Sequence, residues 1–392
     1  MPSLRAFSAS DLRHVTVAGC VASFTGMLAS TGVVLAGLTA VGADHAQSVS
    51  AVFVMLVGYG LLAIALSWRH AMPLTIVWST PGAALLVSSA ALALTFEQAV
   101  AGFIISALLI ILTGLWPALG DLVGRIPAQL ASAMLAGVIF SFCVAPFIAL
   151  PKYTVVMAPV LLVWIALKRF APLWAAPAAI VLGSAILLNT IDGVAVDLAL
   201  PAARVVMPEF TPAIVLSIAI PLYVVTMASQ NIPGVAIMKS YGYDVPFKEA
   251  MITTGVVSVV GSFFGGFNLN LAAITAALNA SDHAHPDQRK RWAAAAMGGV
   301  AYLLFAVGAT AFVSLVLSTP RELLLALAGL ALLDTLVNAL TTAMSEPALR
   351  LPAMVTLATT ASGIMFAGIG AAFWALLLGL ALARILKPRP TA

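Results

Sequence analysis

Three polar stretches interrupt apolar segments of this chain, and their residue types could bind an anion without any charged side chain. They read Trp78-Ser79-Thr80-Pro81-Gly82, Ser229-Gln230-Asn231-Ile232-Pro233-Gly234 and Gly266-Phe267-Asn268-Leu269-Asn270. Hydroxyl and amide groups donate hydrogen bonds, and a polar residue followed by proline or glycine is typical of a helix start. The first amides of a helix lack intrahelical partners and carry partial positive charge, so they attract anions. The stretches therefore predict an anion site built from helix ends.

Two of these stretches predict half-helices that begin inside the membrane. A proline-led, β-branched run at 73–78 predicts an extended backbone, after which Thr80 has the residue type of an N-cap and Pro81 that of a first helical residue. In the same way, Asn270 is the expected cap of a short helix over 271–279. The anion is therefore predicted to lie between the N-termini of the two half-helices.

The polar stretch at 229–234 has a counterpart in Ser23-Phe24-Thr25-Gly26 near the N-terminus. Gln230 and Asn231 are costly at membrane depth unless they face a partner or a cavity. Small and amide residues also join neighbouring helices, so a structural role for any single one of them stays open. Interrupted segments at paired positions nevertheless favour a transport site over packing alone.

The composition shows that most of the chain is surrounded by lipid. It is 62% hydrophobic and 8% charged, with a mean hydropathy of +1.11, whereas a soluble domain is about a quarter charged. Backbone amides must be paired within hydrocarbon, and long unbroken apolar runs exclude the alternating pattern of a membrane β-barrel. We therefore predict an all-α polytopic membrane protein.

Fourteen apolar segments result when the chain is divided at charges, prolines and glycine clusters, since about 20 residues cross a bilayer. They lie at about 14–42, 47–68, 72–92, 97–117, 125–147, 154–169, 172–190, 211–238, 246–264, 266–280, 291–317, 320–344, 349–366 and 368–386. The longest polar connection, 189–211, divides them into seven and seven. Because a repeat with an odd number of spans inverts, residues 1–195 and 196–392 are predicted to form two inverted repeats.

The basic residues sort onto one side of the predicted membrane. Fifteen of the 18 lysines and arginines fall in loops on the side of both termini, and the other three are Lys152, Arg204 and Arg321. The fifteen are Arg5, Arg13, Arg69, Arg125, Lys168, Arg169, Lys239, Lys248, Arg289, Lys290, Arg291, Arg350, Arg384, Lys387 and Arg389. Cytoplasmic loops collect such residues, so both termini are predicted to be cytoplasmic. The net charge of +4 therefore reflects topology and does not imply a nucleic-acid partner.

Few residues of the chain are arranged for catalysis or metal binding. His283 and His285, with Asp282 and Asp287, lie in a solvated loop without the fixed spacing of a metal site. Nucleophile elbows and phosphate-binding glycine loops are absent from the sequence, and both cysteines lie in apolar stretches. An enzyme, a metal and a cofactor are therefore not expected.

One acidic residue, Asp334, lies near the middle of a predicted span. Carboxyl groups at that depth often relay protons, which makes Asp334 the candidate for proton coupling. The alternative is a structural carboxyl that is hydrogen-bonded to Thr335, to Asn338 or to a neighbouring helix.

The three polar stretches resemble those of the benzoate:proton symporters of the BenE type, and the resemblance covers essentially the whole chain. It implies two intertwined repeats, with segments 1–4 and 8–11 forming a core domain and segments 5–7 and 12–14 a gate domain. It also implies proton-coupled uptake of benzoate or a similar aromatic carboxylate across a bacterial inner membrane, and a homodimer is possible. The candidate substrate-binding residues are Ser23, Phe24, Thr25, Trp78, Ser79, Thr80, Gly82, Ser229, Gln230, Asn231, Phe267, Asn268, Leu269 and Asn270.

Other transported solutes stay open at this point. The family looks related to nucleobase permeases, which carry glutamates in the eighth and tenth segments, and to sulfate-type anion transporters. This sequence has Gln230, Asn231, Asn268 and Asn270 in the corresponding stretches, and a site without carboxylates suits an anion. A nucleobase or inorganic anion transporter of the same architecture is the alternative. A channel is a weaker one, because the polar residues form two paired clusters rather than a continuous pore.

Overall fold

The computed structural model describes residues 7–116, 118–119, 126–190, 197–272, 274–366 and 369–386. Four of the basic residues that predict the orientation, Arg5, Arg125, Lys387 and Arg389, lie outside these ranges, as does the repeat boundary at 195. The long helices are α1 (Ala9–Ala40), α2 (His45–His70), α4 (Phe96–Leu115), α5 (Ala128–Ala149), α6 (Thr154–Phe170), α7 (Pro172–Thr190), α8 (Pro212–Ser240), α9 (Phe247–Ser262), α12 (Arg321–Ala343), α13 (Arg350–Ala361) and α14 (Ala371–Ile385). The interrupted segments contain β1 (Ile76–Trp78), α3 (Thr80–Ser88), β2 (Leu269–Leu271), α10 (Ile274–Ala280) and α11, which consists of Trp292–Val307 and Ala309–Leu317.

Each predicted apolar segment coincides with one of these helices or with a strand and a short helix. Among the described residues, six helices are long and apolar enough to cross a membrane alone: α1, α2, α4, α5, α8 and α12. The two pieces of α11 would form a seventh span with a 67° bend. The helical elements are thus found where the apolar runs predict them, while the number that crosses the membrane stays a prediction.

The strands β1 and β2 pair antiparallel at the centre of the molecule, with Val77 opposite Asn270. Each strand precedes a half-helix, so the pairing of β1 with β2 joins equivalent parts of the two inverted repeats.

Two predicted caps are wrong. Ser79, not Thr80, caps α3, because its extended backbone lets its hydroxyl accept from the Gly82 amide at 3.1 Å. Asn270 lies within β2, where its backbone pairs with β1, and α10 begins only at Ile274.

The helix α8 continues through its polar stretch but widens there. Two π-helical turns, Val215–Ala219 and Met227–Asn231, lie just before Pro221 and Pro233. Proline has no amide hydrogen, and its ring clashes with the carbonyl four residues earlier, so the helix takes in an extra residue before each proline. The second π turn contains Ser229 and Gln230.

The closest helix packing occurs within the two groups of segments that the family resemblance assigns to core and gate. In the first group α1 and α2 pack on α11, and α4 packs on α9; in the second, α5 packs on α12 and α13, and α6 packs on α7. Small residues allow this approach: a Cβ atom on Gly19 would lie 2.1 Å from the Ala294 carbonyl oxygen, and one on Gly329 would lie 1.9 Å from that of Phe142. The division into core and gate domains stays a prediction.

The ion pairs at the helix ends join residues that the sequence places on the same side. Lys290 contacts Asp11 at 2.6 Å and Arg69 contacts Glu249 at 2.9 Å, all four on the predicted cytoplasmic side. Lys152 contacts Glu322 at 2.6 Å on the opposite side. The structure is thus compatible with the predicted alternation of spans, and the direction of the chain across the membrane is testable.

We predict that a cysteine at Ala202 reacts with a membrane-impermeant maleimide in intact cells, whereas one at Ser240 reacts only after permeabilisation. Both positions are exposed, so burial does not limit the reaction. The background is a variant with Cys20 and Cys143 replaced by alanine. Labelling of the Ser240 position from outside would contradict the predicted orientation.

Candidate functional site

A cavity of about 410 Å³, the central cavity, lies between the half-helices and the helices of the predicted gate. Residues of α1, β1, α3, α8 and α10 line one side, and residues of α5 and α12 line the other. Its volume lies in the range of small-molecule sites, about 300–1,000 Å³. The cavity therefore occupies the interface at which the resemblance places the substrate.

Five of the predicted site residues lie at the wall of the central cavity. They are Thr25, Trp78, Thr80, Ser229 and Gln230. Their elements explain the position: β1 ends at Trp78, α3 starts at Thr80, and the second π turn of α8 exposes Ser229 and Gln230. The polar breaks in the first, third and eighth segments thus meet around one space.

Four other predicted residues pack behind the wall. The Phe24 ring contacts Phe305 at a centroid distance of 6.0 Å, and the fully buried Phe267 ring lies 5.9 Å from Phe103. The Ser23 side chain lies beside the Tyr302 hydroxyl. Gly82 allows α8 to approach α3, because a Cβ atom there would lie 2.5 Å from Leu222. The structure gives these positions packing roles and does not bring them to the cavity.

The remaining predicted residues hold the β1–β2 ladder in place rather than facing the cavity. The five, which are all buried, are Ser79, Asn231, Asn268, Leu269 and Asn270. Their bonds are Ser79 N to the Asn268 carbonyl (3.0 Å), Leu271 N to Asn231 Oδ1 (2.9 Å), Leu269 N to Ser258 Oγ (2.8 Å) and Asn270 Nδ2 to the Leu271 carbonyl (2.9 Å). The amides at Leu269 and Leu271 are therefore already occupied. These bonds do not favour an anion beside Asn268–Leu271, and its binding there stays a prediction.

The N-terminus of α3 has fewer free donors than a regular helix end. Pro81 has no amide hydrogen, the Gly82 amide bonds to the Ser79 hydroxyl, and the Ala83 amide bonds to the Ser79 carbonyl at 2.8 Å. Among the described residues no neighbouring group takes up the Thr80 amide or the Thr80 hydroxyl. These two donors, at the positive end of α3, are what the half-helix offers to a ligand in the cavity.

Two tyrosines that the sequence reasoning missed complete an aromatic wall with Trp78. The Tyr59 ring meets the Trp78 ring edge-on at 5.6 Å and the Tyr302 ring at 4.5 Å, and all three line the central cavity. Trp78 is fixed by a 2.8 Å bond from its Nε1 to Ser30 Oγ. Both tyrosines lie inside apolar helices, away from the membrane–water interfaces where tyrosine is common. That unusual position in the sequence could have identified them as candidate site residues.

The opposite wall comes from one face of α12 and the start of α5. Thr335, Asn338 and Thr342 follow each other at helical spacing and share the wall with Ser132 of α5. Leu135, Ile139 and Leu332 contribute apolar surface there. From the sequence, Asn338 is expected only as a partner for Asp334. The i, i+3, i+7 spacing of its polar neighbours could have identified this face.

Asp334 lies outside the central cavity. Its carboxylate forms an ion pair with Lys168 of α6, and the side chain is 65% exposed on the α12 face that carries Val337. Asp334 thus contacts a neighbouring helix, as the structural alternative expects, and its partner is Lys168 rather than Thr335 or Asn338. Its role in proton coupling stays a prediction.

The chemistry of the cavity is neutral and amphipathic. Among the described residues, the wall contains no acidic or basic side chain. No group of three or more described His, Cys, Asp or Glu residues could hold a metal ion, and the Nε2 atom of His285 bonds to Asp11 at 3.0 Å. The site can therefore bind a ligand through aromatic contact and hydrogen-bond donors, with the end of α3 as its positive region.

The central cavity extends toward the end of the molecule that carries most of the basic residues. Its wall on α12 reaches Thr342, one residue from the end of that helix, and its wall on α8 reaches Ile237, near the end at Ser240. On α5 it includes Ser132, in the first turns after Ala128. The lining is thus drawn from the halves of these helices nearest the predicted cytoplasmic side.

Comparison with known proteins agrees with this architecture. Residues 9–385 match the BenE family model, described as benzoate membrane transport protein. The chain is 37% identical over 365 residues to inner membrane protein YdcO of Escherichia coli, covering 93% of each chain, and 33% identical over 344 residues to the benzoate membrane transport protein of Acinetobacter baylyi, covering 87% of each.

Solved structures show the same fold at low sequence identity. The transmembrane domain of the cyanobacterial bicarbonate transporter BicA aligns with a TM-score of 0.57 at 16% identity, over 95% of this chain and 98% of that one. The murine anion transporter Slc26a9 in its inward-facing state aligns with a TM-score of 0.56 at 14% identity, over 98% of this chain and 69% of that one. The inverted-repeat architecture predicted from the segment count is thereby confirmed as the fold.

Proposed function

We propose that this chain, which belongs to the BenE family of membrane transporters, carries benzoate or a similar aromatic carboxylate by proton-coupled alternating access. The observation that supports the substrate class is the wall of the central cavity, which combines aromatic rings with uncharged donors at a half-helix end. An aromatic carboxylate has the matching parts, a flat apolar ring and a single negative charge. The benzoate transport named for the Acinetobacter relative supports the same class.

The carboxylate would bind at the start of α3. The Thr80 amide and hydroxyl are free donors there, and the Ser229 and Thr275 hydroxyls lie on the same wall. Each bond from a neutral donor to a carboxylate contributes about 1.5–3 kcal/mol net. No described cation lines the cavity, so these donors and the helix dipole must stabilise the charge. This arrangement favours a monoanion over a more highly charged inorganic anion.

The ring would pack on Trp78 and Tyr59, with Leu135, Ile139 and Leu332 closing the opposite side. Aromatic rings prefer edge-to-face or offset contacts with each other, and such pairs add about 0.5–1.5 kcal/mol to area burial. A purine or pyrimidine would instead need paired donors and acceptors in its ring plane. The absence of a carboxylate from the described wall makes a nucleobase the weaker candidate.

Alternating access would move the core helices against the gate helices around this cavity. The cavity is lined from both groups, so a shift between them would close it on one side and open it on the other. The half-helices and the ladder would move together as one unit, because the ladder ties β1 and β2 through backbone bonds. The similarity to an anion transporter in an inward-facing state supports this mode of operation.

A ligand screen on the purified protein tests the proposed substrate class. Binding to the native state raises the unfolding temperature, so benzoate and ring-substituted benzoates are expected to stabilise the protein in detergent. Uracil, xanthine, bicarbonate and sulfate are the matched comparisons. Stabilisation by uracil or by bicarbonate, without stabilisation by benzoate, would overturn the proposed substrate and favour one of the two alternatives.

A further inference from the structure

A second cavity of about 610 Å³, the end cavity, adjoins the central cavity along α1. Thr25 and Leu278 line both spaces, so the two meet at these residues. From Thr25 the wall follows one face of α1 through Val21 and Val17 to Arg13 and His14. Thr25 follows Arg13 by twelve positions along α1, which corresponds to about 18 Å at 1.5 Å per residue.

The end cavity changes from apolar to basic along its length. Its middle part consists of valines and alanines of α1, while Arg13, His14 and His283 lie at the far end. The Nε2 atom of His14 lies 3.1 Å from the His283 carbonyl oxygen, a contact that fixes the imidazole ring against the loop after α10. The cavity therefore presents an apolar track that ends at a cationic group.

Two acids near this end, Asp11 and Asp282, are engaged with other cations. Asp11 contacts Lys290 at 2.6 Å and His285 at 3.0 Å. Asp282 pairs with Arg291. Within the residues that the structure describes, Arg13 forms no ion pair with an acid, so its exposed guanidinium is available to an anion in the end cavity.

We propose that the end cavity is a second binding station for the transported monocarboxylate, between the central cavity and the solution on the side of the α1 N-terminus. Arg13 binds the carboxylate as a bidentate donor, and the apolar face of α1 contacts the ring. This inference rests on the proposed function, since it takes its ligand class from the central cavity. A station of modest affinity lets the substrate leave the neutral central cavity in steps, as multi-site conduction does in channels.

The test compares Arg13→Gln with Lys248→Gln in membrane vesicles of both orientations. Lys248 is an exposed cation at the same end of the molecule that lines neither cavity, so its removal controls for general surface charge. Loss of one exposed charge contact is expected to raise the half-saturating benzoate concentration roughly fivefold at the face that carries the α1 N-terminus. The opposite face should keep its wild-type value, and Lys248→Gln should match wild type at both faces. Arg13→Lys keeps the charge but not the paired donors, so it should restore only part of the loss.

Ionic strength provides a second measurement that needs no variant. At 0.1 M salt the screening length is about 10 Å, so added salt weakens the attraction between exposed Arg13 and an anion. The half-saturating benzoate concentration of wild type should therefore rise with salt at the face that carries the α1 N-terminus, and rise less at the opposite face. An Arg13→Gln protein that equals wild type at both faces, or that loses affinity equally at both, overturns the second station. If wild type shows no saturable benzoate transport, the proposed function fails and this inference fails with it.

Discussion

Replacing Thr80 with aspartate is expected to abolish benzoate binding at pH 7 without unfolding the protein. Position 80 is the first residue of α3, where an acid interacts favourably with the helix dipole, so the half-helix should form. The new carboxylate would lie beside that of the substrate. At an effective dielectric constant of about 20, two charges 4 Å apart repel by about 4 kcal/mol, which corresponds to roughly a thousandfold loss of affinity.

Isothermal titration calorimetry of the purified Thr80→Asp protein with benzoate measures this loss of affinity. Thr80→Asn is the matched neutral control. The asparagine variant has nearly the same shape and should retain binding within about tenfold, since it loses only one hydrogen-bonding hydroxyl. Lower pH should partly restore binding to the aspartate variant, because the protonated acid carries no charge. A folded Thr80→Asp protein that binds benzoate with wild-type affinity at pH 7 would exclude the start of α3 as the carboxylate site.

Replacing Asp334 with asparagine is expected to abolish gradient-driven benzoate accumulation and to leave benzoate exchange at equilibrium intact. The physical reason is that a carboxylate can take up a proton and asparagine cannot. Among the described residues, Asp334 is the acid that lies in the middle of a helix long enough to cross a membrane, and it pairs with Lys168. Exchange does not require net proton movement, so it should persist. Proteoliposomes with an imposed pH gradient measure accumulation, and isotope counterflow in the same preparation measures exchange.

Glu322→Gln is the matched control for Asp334→Asn. It removes a carboxylate that also pairs with a lysine, Lys152 in the turn between α5 and α6, but at the start of α12 rather than in its middle. This variant should accumulate benzoate as wild type does. If Asp334→Asn accumulates benzoate as wild type does, Asp334 does not couple transport to protons. Its ion pair with Lys168 is then purely structural, consistent with the position of Asp334 outside the central cavity.

The class of fold is predictable from the sequence because hydrophobicity acts locally along the chain. Each apolar run forms a helix wherever it meets lipid, so the segment positions could be read without knowledge of their neighbours. The half-helices were predictable for the same reason, since Pro81 and the residues around it determine their own backbone. Thr25, Trp78, Thr80, Ser229 and Gln230 stand out because their unusual polarity is visible within their own segments, and they line the central cavity.

The errors arose where the partner of a residue lies far away in the sequence. Asn270 has the composition of a helix cap, but pairing with Val77, nearly two hundred residues earlier, holds it in a strand. Asn268 and Asn231 look like ligand donors, yet Asn268 Nδ2 donates to Ser106 Oγ and Asn231 Nδ2 donates to Met227 Sδ. Asn231 Oδ1 in turn accepts from the β2 backbone at Leu271 N. A buried polar group forms hydrogen bonds with the groups that packing brings close to it. The sequence identifies the polar group but not these partners.

By itself the sequence determined that this chain is helical, crosses a membrane and gathers uncharged polar groups at paired breaks, because each property follows from residues close together in the chain. Only the tertiary structure decided which groups face the central cavity. Tyr59, Tyr302 and Asn338 reach it from three helices whose patterns are those of ordinary membrane spans. Cavity walls are made where separate helices meet, and that meeting depends on long-range packing between surfaces that no local pattern specifies.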